Sequence, residues 1–205
     1  MNLFDNCHEK LLSSELNWLN EPNNWGFDAN QSLAISAPAN ADFFIDPSGE
    51  TIKSSAPFLY TIVPGDFTLT TRVGVDMKHQ YDSGCLMVMS DDQHWAKLCY
   101  EFFGNKRSIL SVVTNNTSDD CISGKVDSLK PYLRIARAGN CFAFHYSLDG
   151  EQWELVRYFG MDCTAELKVG IVAQSPIGEG CLVQFDYLHL IQSSNGDIRT
   201  VIATI

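Results

Sequence analysis

One pattern recurs along most of the chain: short runs rich in β-branched and aromatic residues, separated by turn residues. Side chains alternate between the two faces of a strand, so alternating apolar and polar residues predict half-buried strands. Turn pairs such as Gly139-Asn140 and Asp149-Gly150 separate neighbouring runs at the spacing of β-hairpins. Antiparallel strands joined in this way predict an all-β sandwich or barrel, and argue against helices packed on a parallel sheet.

The runs predict strands at residues 32–36, 58–63, 67–75, 84–90, 95–102, 108–114, 132–138, 141–147, 153–159, 167–174 and 182–191. Residues 7–19 alone have helical periodicity, so one short N-terminal helix is predicted there. A last strand is predicted at residues 197–205. A chain of 205 residues is long enough to bury one core, and we expect a single domain over 1–205, with an N-terminal extension at 1–17 and a C-terminal tail at 193–205.

Charge and cysteine content narrow the class of protein. A net charge of −11 argues against nucleic acid or an anionic membrane as a partner, because both select basic surfaces. No run of apolar residues is long enough for a transmembrane helix, and the first residues lack a signal-peptide pattern. The seven cysteines contain no C-x-x-C spacing, which favours free thiols over a zinc site or a disulfide framework. We therefore expect a cytoplasmic protein.

The strand predicted at residues 95–102 carries the best candidates for a site. Trp95, Lys97 and Glu101 fall on one side of it, while Leu98 and Tyr100 fall on the other. Lys97 and Glu101 lie four residues apart, about 13–14 Å along a strand, so they do not pair directly. We therefore expect a core face opposite a polar face that holds a binding site, with a merely solvated sheet face as the alternative.

A carbohydrate or sugar-like metabolite suits this polar face. Aromatic rings stack on sugars, and charged side chains bind hydroxyl groups. Trp95 is expected to stack, and Lys97 and Arg134, both predicted on the same concave sheet, are expected to donate hydrogen bonds. The expected acceptors and rim residues are Glu101, Asp82, Tyr81 and Thr114.

Catalysis is the weaker interpretation. Glycoside hydrolysis needs two carboxyl groups about 5–10 Å apart, and no Glu-x-Asp-x-x-Glu stretch supplies them from one strand. If the protein is an enzyme, Glu101 with Asp82 are the candidate acids. The five histidines have no metal-ligand spacing, and no P-loop or dinucleotide motif is present, so neither a metal nor a cofactor is expected.

Several ordered motifs resemble one family across residues 18–191. They include Trp18-Leu19-Asn20-Glu21-Pro22, Pro64-Gly65-Asp66-Phe67-Thr68-Leu69, Tyr81-Asp82-Ser83-Gly84-Cys85-Leu86-Met87 and Trp95-Ala96-Lys97-Leu98-Cys99-Tyr100-Glu101. The chain resembles the domain-of-unknown-function family of YesU-like and regulation-of-enolase-like proteins, placed in the concanavalin A-like lectin/glucanase superfamily. The sequence departs from the family pattern at Asp120, where Trp is common, and at Cys85 and Cys99, where Ala and Gly are common.

The resemblance implies an antiparallel two-sheet jelly-roll sandwich with a concave face, and no established reaction. We expect a non-catalytic protein that binds a carbohydrate or sugar-like small molecule on that face. Two alternatives stay open. One is a glycoside hydrolase or lyase with Glu101 as its acid or base, and the other is a protein-interaction module that regulates a metabolic enzyme such as enolase.

Overall fold

The computed structural model describes residues 1–193 and 196–201, which form strands, turns and loops and contain no helix. The strands are β1 (Asn17–Leu19), β2 (Trp25–Phe27), β3 (Leu33–Ala37), β4 (Phe43–Ile45), β5 (Ile52–Ser54), β6 (Phe58–Pro64), β7 (Phe67–Val75), β8 (Ser83–Asp91), β9 (His94–Phe103), β10 (Lys106–Asn115), β11 (Thr117–Lys125), β12 (Tyr132–Ala138), β13 (Cys141–Ser147), β14 (Glu154–Gly160), β15 (Glu166–Gln174) and β16 (Cys181–Ile191). The prediction of an all-β antiparallel jelly-roll sandwich is confirmed.

Two seven-stranded sheets make up the sandwich. The first sheet has the order β1-β6-β15-β8-β9-β10-β11, and the second has the order β14-β13-β12-β7-β16-β3-β2. Every pairing within them is antiparallel, and the long hairpins β8–β9 and β9–β10 lie at the middle of the first sheet. This places β9, the strand with the candidate site residues, between two partners.

The inner faces of the two sheets form the main hydrophobic core. From the first sheet, Leu86, Leu98 and Tyr100 pack there, and from the second sheet Phe144 and Phe185 meet them; all five are fully buried. These residues follow the two-residue period that the sequence predicts for a half-buried strand. The core face of β9 is therefore the one expected from its sequence.

The outer face of β9 is buried as well, by a hairpin absent from the predicted strands. Strands β4 and β5 pair with each other, and we call the segment they enclose, residues 43–54, the cover hairpin. Phe43 and Ile45 of this hairpin join Met87, Met89 and Trp95 in a second hydrophobic cluster on the outer face of the first sheet. The sandwich thus has a third layer over the face that was expected to be polar.

The long strands were predicted to within two residues at either end, whereas five short or polar strands were not predicted. These are β1, β2, β4, β5 and β11. The first four have only three residues each, too few to show a period. Strand β11, with the sequence TSDDCISGK, is exposed along most of its length and carries no apolar alternation.

The predicted helix at residues 7–19 is wrong. Cys7 and Leu16 are buried in the main core, and between them Glu9 forms a bridge with Phe27 of β2 while His8 bridges Leu11 within the segment. The amide of Phe27 donates to the carbonyl of Glu9 at 2.7 Å, and residues 17–19 are strand β1. Tertiary packing at the edge of the sandwich overrides the weak helical preference of this segment. At the other terminus, a last strand is predicted at residues 197–205. Residues 197–200 form a turn, residue 201 is not in a strand, and residues 202–205 lie outside the described residues.

Candidate functional site

A cavity of about 270 Å³ lies between the cover hairpin and the outer face of the first sheet, and we call it the hairpin cavity. Its apolar wall includes Phe44, Leu110 and Val112. Its polar and charged lining comes from the hairpin and the segment before it, from a loop, and from three strands of the sheet: Asp42, Thr51, Lys53, Tyr81, Lys97, Glu101, Asp120 and Gln174.

Lys97 is an anchor for the hairpin. Its ammonium donates to the Phe43 carbonyl at 2.7 Å and to Gln174 Oε1 at 3.1 Å, and it lies 3.5 Å from Asp42 Oδ1. The amide of Gln174 also donates to Asp42, at 3.0 Å. Burial disfavours the Lys97 charge, but Asp42 and the other acidic groups outweigh burial and raise its pKa. With three partners already in place, Lys97 has little hydrogen-bonding capacity left for a ligand.

Glu101 is the most buried of the polar cavity residues that have no side-chain partner in the described part of the chain. The side chain is 7% exposed and lines the cavity, yet among the described residues none donates a hydrogen bond to its carboxyl group. Burial and the negative charges of Cys85, Asp42 and Asp120 outweigh the attraction of Lys97, so the pKa of Glu101 lies well above its usual value. A carboxyl group with so little exposure is costly to ionise, and a ligand that hydrogen-bonds it offsets part of that cost.

Asp120, Lys53 and Tyr81 complete the polar lining. Asp120 lies on β11 directly across β10 from Lys97, because each of them pairs with Val112. Burial raises the pKa of Asp120 as well. Lys53 faces the cavity from β5, and Tyr81 stands at its edge with a left-handed backbone (φ 71°). Carboxyl, ammonium and phenol groups therefore converge on one small apolar space.

Of the seven residues predicted from the sequence, the structure brings three to this cavity: Lys97, Glu101 and Tyr81. Lys97 does so as an anchor, and the expectation that it donates to a ligand is not favoured by its contacts. The residues that sequence reasoning missed are Asp42, Lys53, Asp120 and Gln174. Two short apolar runs on either side of Asp46-Pro47-Ser48-Gly49 are a hairpin signal that could have revealed the first two.

Trp95 does not offer a ring face for stacking. Its side chain is 1% exposed, and its ring packs against Phe43 of the cover hairpin with centroids 6.1 Å apart. Thr114 of β10 is the cross-strand partner of Trp95 and is fully buried. Its hydroxyl group hydrogen-bonds to the Ser118 hydroxyl at 2.9 Å. The Ser118 hydroxyl in turn accepts from the amide of Ile45, so this pair also holds the hairpin.

Asp82 and Arg134 lie outside the cavity. The fully buried Asp82 carboxylate accepts hydrogen bonds from the amides of Lys78 and His79 and from the Ser175 hydroxyl, so it braces a loop. Arg134 belongs to β12 of the second sheet and bonds to His145 at 3.0 Å. Its predicted place on the same sheet as Lys97 is wrong, because the two-residue period fixes the face of a strand but not the sheet to which it belongs.

The chemistry open to this arrangement is hydrogen bonding and proton transfer. Glu101 shares the cavity with Asp42 and Asp120, and not with Asp82, the partner expected for hydrolysis. Asp42 already interacts with Lys97 and Gln174. Within residues 1–193 and 196–201 there is no cluster of three or more His, Cys, Asp or Glu side chains able to hold a metal ion. No helix long and apolar enough to cross a membrane occurs in that part of the chain.

The chain is similar to proteins of known sequence and structure over most of its length. Regulation of enolase protein 1 from Saccharomyces cerevisiae is 27% identical over 173 residues, which cover 84% of this chain and 87% of that protein. A functionally unknown protein from Saccharomyces cerevisiae, of solved structure, has a TM-score of 0.83 at 26% identity and covers 89% of this chain and 98% of its own.

The fold also occurs as part of larger proteins. A GH43 protein from Bacillus licheniformis matches 94% of this chain with a TM-score of 0.71 at 14% identity, and the match spans 39% of that protein. At such low identity, the similarity shows the fold alone. A family model covers residues 18–193, most of the chain. The chain therefore belongs to the family described as "Protein of unknown function (DUF1349)".

Proposed function

We propose that the hairpin cavity binds one small polyhydroxylated metabolite, a monosaccharide or a sugar-like compound, without transforming it. The observation that carries the proposal is Glu101, a carboxyl group 7% exposed, in contact with the cavity and without a hydrogen-bond donor among the described residues. A ligand hydroxyl at this point satisfies a group that the protein leaves unsatisfied. We also propose a cytoplasmic location, because scattered, unpaired cysteines suit a reducing compartment.

The lining suits a single sugar ring. Hydroxyl groups both donate and accept, so they match the carboxyl groups of Glu101 and Asp120 and the ammonium of Lys53 at the same time. The rings of Phe44 and Tyr81 offer apolar contacts for the C–H faces of a pyranose. A volume of about 270 Å³ lies just below the range typical of drug-sized ligands, which favours one ring over an oligosaccharide.

A thermal-shift panel tests this proposal. Neutral monosaccharides, sugar acids, amino sugars and polyols are added at millimolar concentration to the wild-type protein and to Glu101→Gln and Lys53→Met. We expect at least one class to raise the Tm of the wild type, with a shift at least halved in each variant. Glu151→Gln and Lys106→Met change exposed residues away from the cavity and serve as matched controls that keep the full shift. The absence of any shift across the panel overturns the proposal.

Turnover of a ligand is the outcome that separates binding from catalysis. A raised pKa suits a general acid, so Glu101 also has a property that glycosidases need. Nitrophenyl glycosides provide a direct assay. Release of nitrophenol by the wild type and its loss in Glu101→Gln would establish an enzyme, whereas binding without release supports a non-catalytic function.

Regulation of enolase is a second candidate function. It rests on the name of the yeast relative, and the match spans 87% of the length of that relative. Purified enolase assayed with and without an equimolar amount of this protein tests it, with heat-unfolded protein as the control. A change in kcat or KM that needs the folded protein, together with co-sedimentation of the two proteins, supports the candidate. Unchanged kinetics and separate sedimentation contradict it.

A further inference from the structure

Two of the seven cysteines face each other in the first sheet. Cys85 of β8 and Cys99 of β9 are direct partners in the antiparallel register. Both side chains are fully buried, and their sulfur atoms lie 2.9 Å apart. The other five cysteines are free thiols as well. A cross-strand pair of thiols in contact is therefore a specific feature of the centre of this sheet.

The backbone at this pair matches that of a cross-strand disulfide. The amide of Phe102 donates to the carbonyl of Asp82, so this position is a hydrogen-bonded site of the ladder, although the Asp82 amide itself donates to His79. Hydrogen-bonded and non-hydrogen-bonded pairs alternate, so Cys85 and Cys99, three positions further along, are a non-hydrogen-bonded pair. The Cα atoms of such pairs lie about 4.5 Å apart, inside the range of about 4.4–6.8 Å seen in disulfides.

The two thiols differ in their tendency to ionise. Burial raises the pKa of the Cys85 thiol, but the hydrogen bond with Cys99, the charge of Lys97 and the Ser83 hydroxyl outweigh burial and lower it. Burial and the neighbouring Cys85 sulfur raise the pKa of Cys99 well above its usual value. A thiolate attacks oxidants and a neighbouring thiol then resolves the product, so the pair has one member suited to each step.

The residues around Cys99 line the hairpin cavity. Lys97 and Glu101 lie two residues to either side of Cys99 on the same face of β9, and Leu110 is its direct partner on β10. All three of these neighbours line the cavity. Cys99 is therefore a buried residue flanked by three residues that line the cavity, and we expect a small solute to reach it through side-chain motions more readily than a bulky disulfide reagent.

We propose that Cys85 and Cys99 form a redox-sensitive dithiol that a small hydroperoxide converts into an intramolecular disulfide. The Cys85 thiolate attacks the peroxide, the O–O bond breaks, and Cys85 becomes a sulfenic acid while hydroxide leaves. The Cys99 sulfur then attacks the sulfenic sulfur, the S–S bond forms, the S–O bond breaks, and water departs with the Cys99 proton. In sum, two thiols and one hydrogen peroxide give one disulfide and two waters.

Peptide mapping of the wild-type protein tests this proposal without any substitution. Trypsin cleaves after Lys78, Lys97 and Lys106, which puts Cys85 in peptide 79–97 and Cys99 in peptide 98–106. After hydrogen peroxide treatment of the folded protein and alkylation of remaining thiols, we expect the two peptides joined, with a mass two hydrogens below their sum, and separated by dithiothreitol. Recovery of both peptides alkylated, under peroxide that oxidises the exposed Cys121, overturns the proposal.

Single variants order the two steps. Cys99→Ser lacks the resolving thiol, so we expect a Cys85 sulfenic acid that dimedone labels; Cys85→Ser is expected to leave Cys99 unlabelled. Cys121→Ser, an exposed cysteine on β11, is the matched control and keeps the full yield of linked peptides. Equal dimedone labelling of Cys85 and Cys99 in the two variants contradicts the assigned order. None of these readouts depends on sugar binding, so failure here leaves the proposed function standing, and the reverse also holds.

Discussion

Lys97 of β9 and Phe43 of the cover hairpin are joined across the outer layer, with the Lys97 ammonium donating to the Phe43 carbonyl at 2.7 Å. The same ammonium interacts with Gln174 and Asp42, so a single buried cation connects the hairpin to two strands of the sheet. A charge 3% exposed at this point is stable because its neighbours are oxygen atoms, one of them anionic. The roof of the cavity depends on this contact.

Replacing the anchor is expected to loosen the hairpin. Lys97→Met leaves Asp42 without its cation, and removal of one partner from a buried ion pair costs about 3–5 kcal/mol. We expect a loss of this order in the free energy of unfolding, measured by urea denaturation, with faster hydrogen exchange in residues 43–54. Lys106→Met at an exposed position should change the free energy of unfolding by less than about 0.5 kcal/mol. Unchanged exchange in the hairpin of Lys97→Met would show that another contact holds it.

Trp95 is expected to matter for stability and not for ligand contact. It is buried against Phe43, so Trp95→Ala should cost about 3–5 kcal/mol of unfolding free energy. Trp95→Phe keeps an aromatic ring in the layer and should lose less stability, with the affinity for any sugar identified by the panel unchanged. Loss of sugar affinity in a folded Trp95→Phe protein would instead support the stacking role predicted from the sequence.

Glu101 is expected to give the protein an unusual dependence of stability on pH. Its pKa is raised on folding, so above its usual value of 4.5 the folded state binds more protons than the unfolded state. Stability then falls as pH rises through the interval between 4.5 and the folded pKa, because ionisation in the cavity is costly. Glu101→Gln removes this loss, and its free energy of unfolding relative to wild type should increase with pH. Glu151→Gln is the control, and parallel curves for wild type and Glu101→Gln would contradict the buried, unpartnered carboxyl.

The loop brace at Asp82 gives a further expectation. Its carboxylate accepts from the amides of Lys78 and His79 and from Ser175, and an asparagine at this position has one acceptor oxygen instead of two. Asp82→Asn should therefore lower the unfolding free energy by about 1–3 kcal/mol, seen as a lower Tm. Asp92→Asn, in an exposed hairpin turn, is the control. A Tm equal to wild type for Asp82→Asn would show that the brace does not contribute.

The sequence pattern predicts which face of β9 a side chain occupies, but not which element of the fold covers that face. A two-residue period places Lys97 and Glu101 on one face of β9, and both do line one cavity. The period does not reveal what covers that face. The cover is a hairpin of two three-residue strands about 45 residues earlier in the chain, so its contact with Trp95 is long-range and has no local signature.

Arg134 shows the other limit of the sequence pattern. Its neighbours Leu133 and Ile135 point into the core, so its outward direction is predictable. Its membership of the second sheet depends on the pairing of β12 with β7 and β13, which no local pattern encodes. Asp120 was missed for a related reason, since β11 is polar on both faces and gives no strand signal.

Blocking the cavity is the most direct test of the claim that it binds a sugar. Thr51 is exposed on the hairpin and lines the cavity, so we expect Thr51→Trp to fill the space without disturbing the core. Ile52 is the next exposed residue and does not line this cavity, so Ile52→Trp is the matched control. Saturation-transfer NMR measures contact with the protein for the compound that raises the Tm of the wild type most in the thermal-shift panel. We expect transfer in the wild type and in Ile52→Trp and its loss in Thr51→Trp. Equal transfer in all three proteins, or none in the wild type, would contradict sugar binding in the cavity.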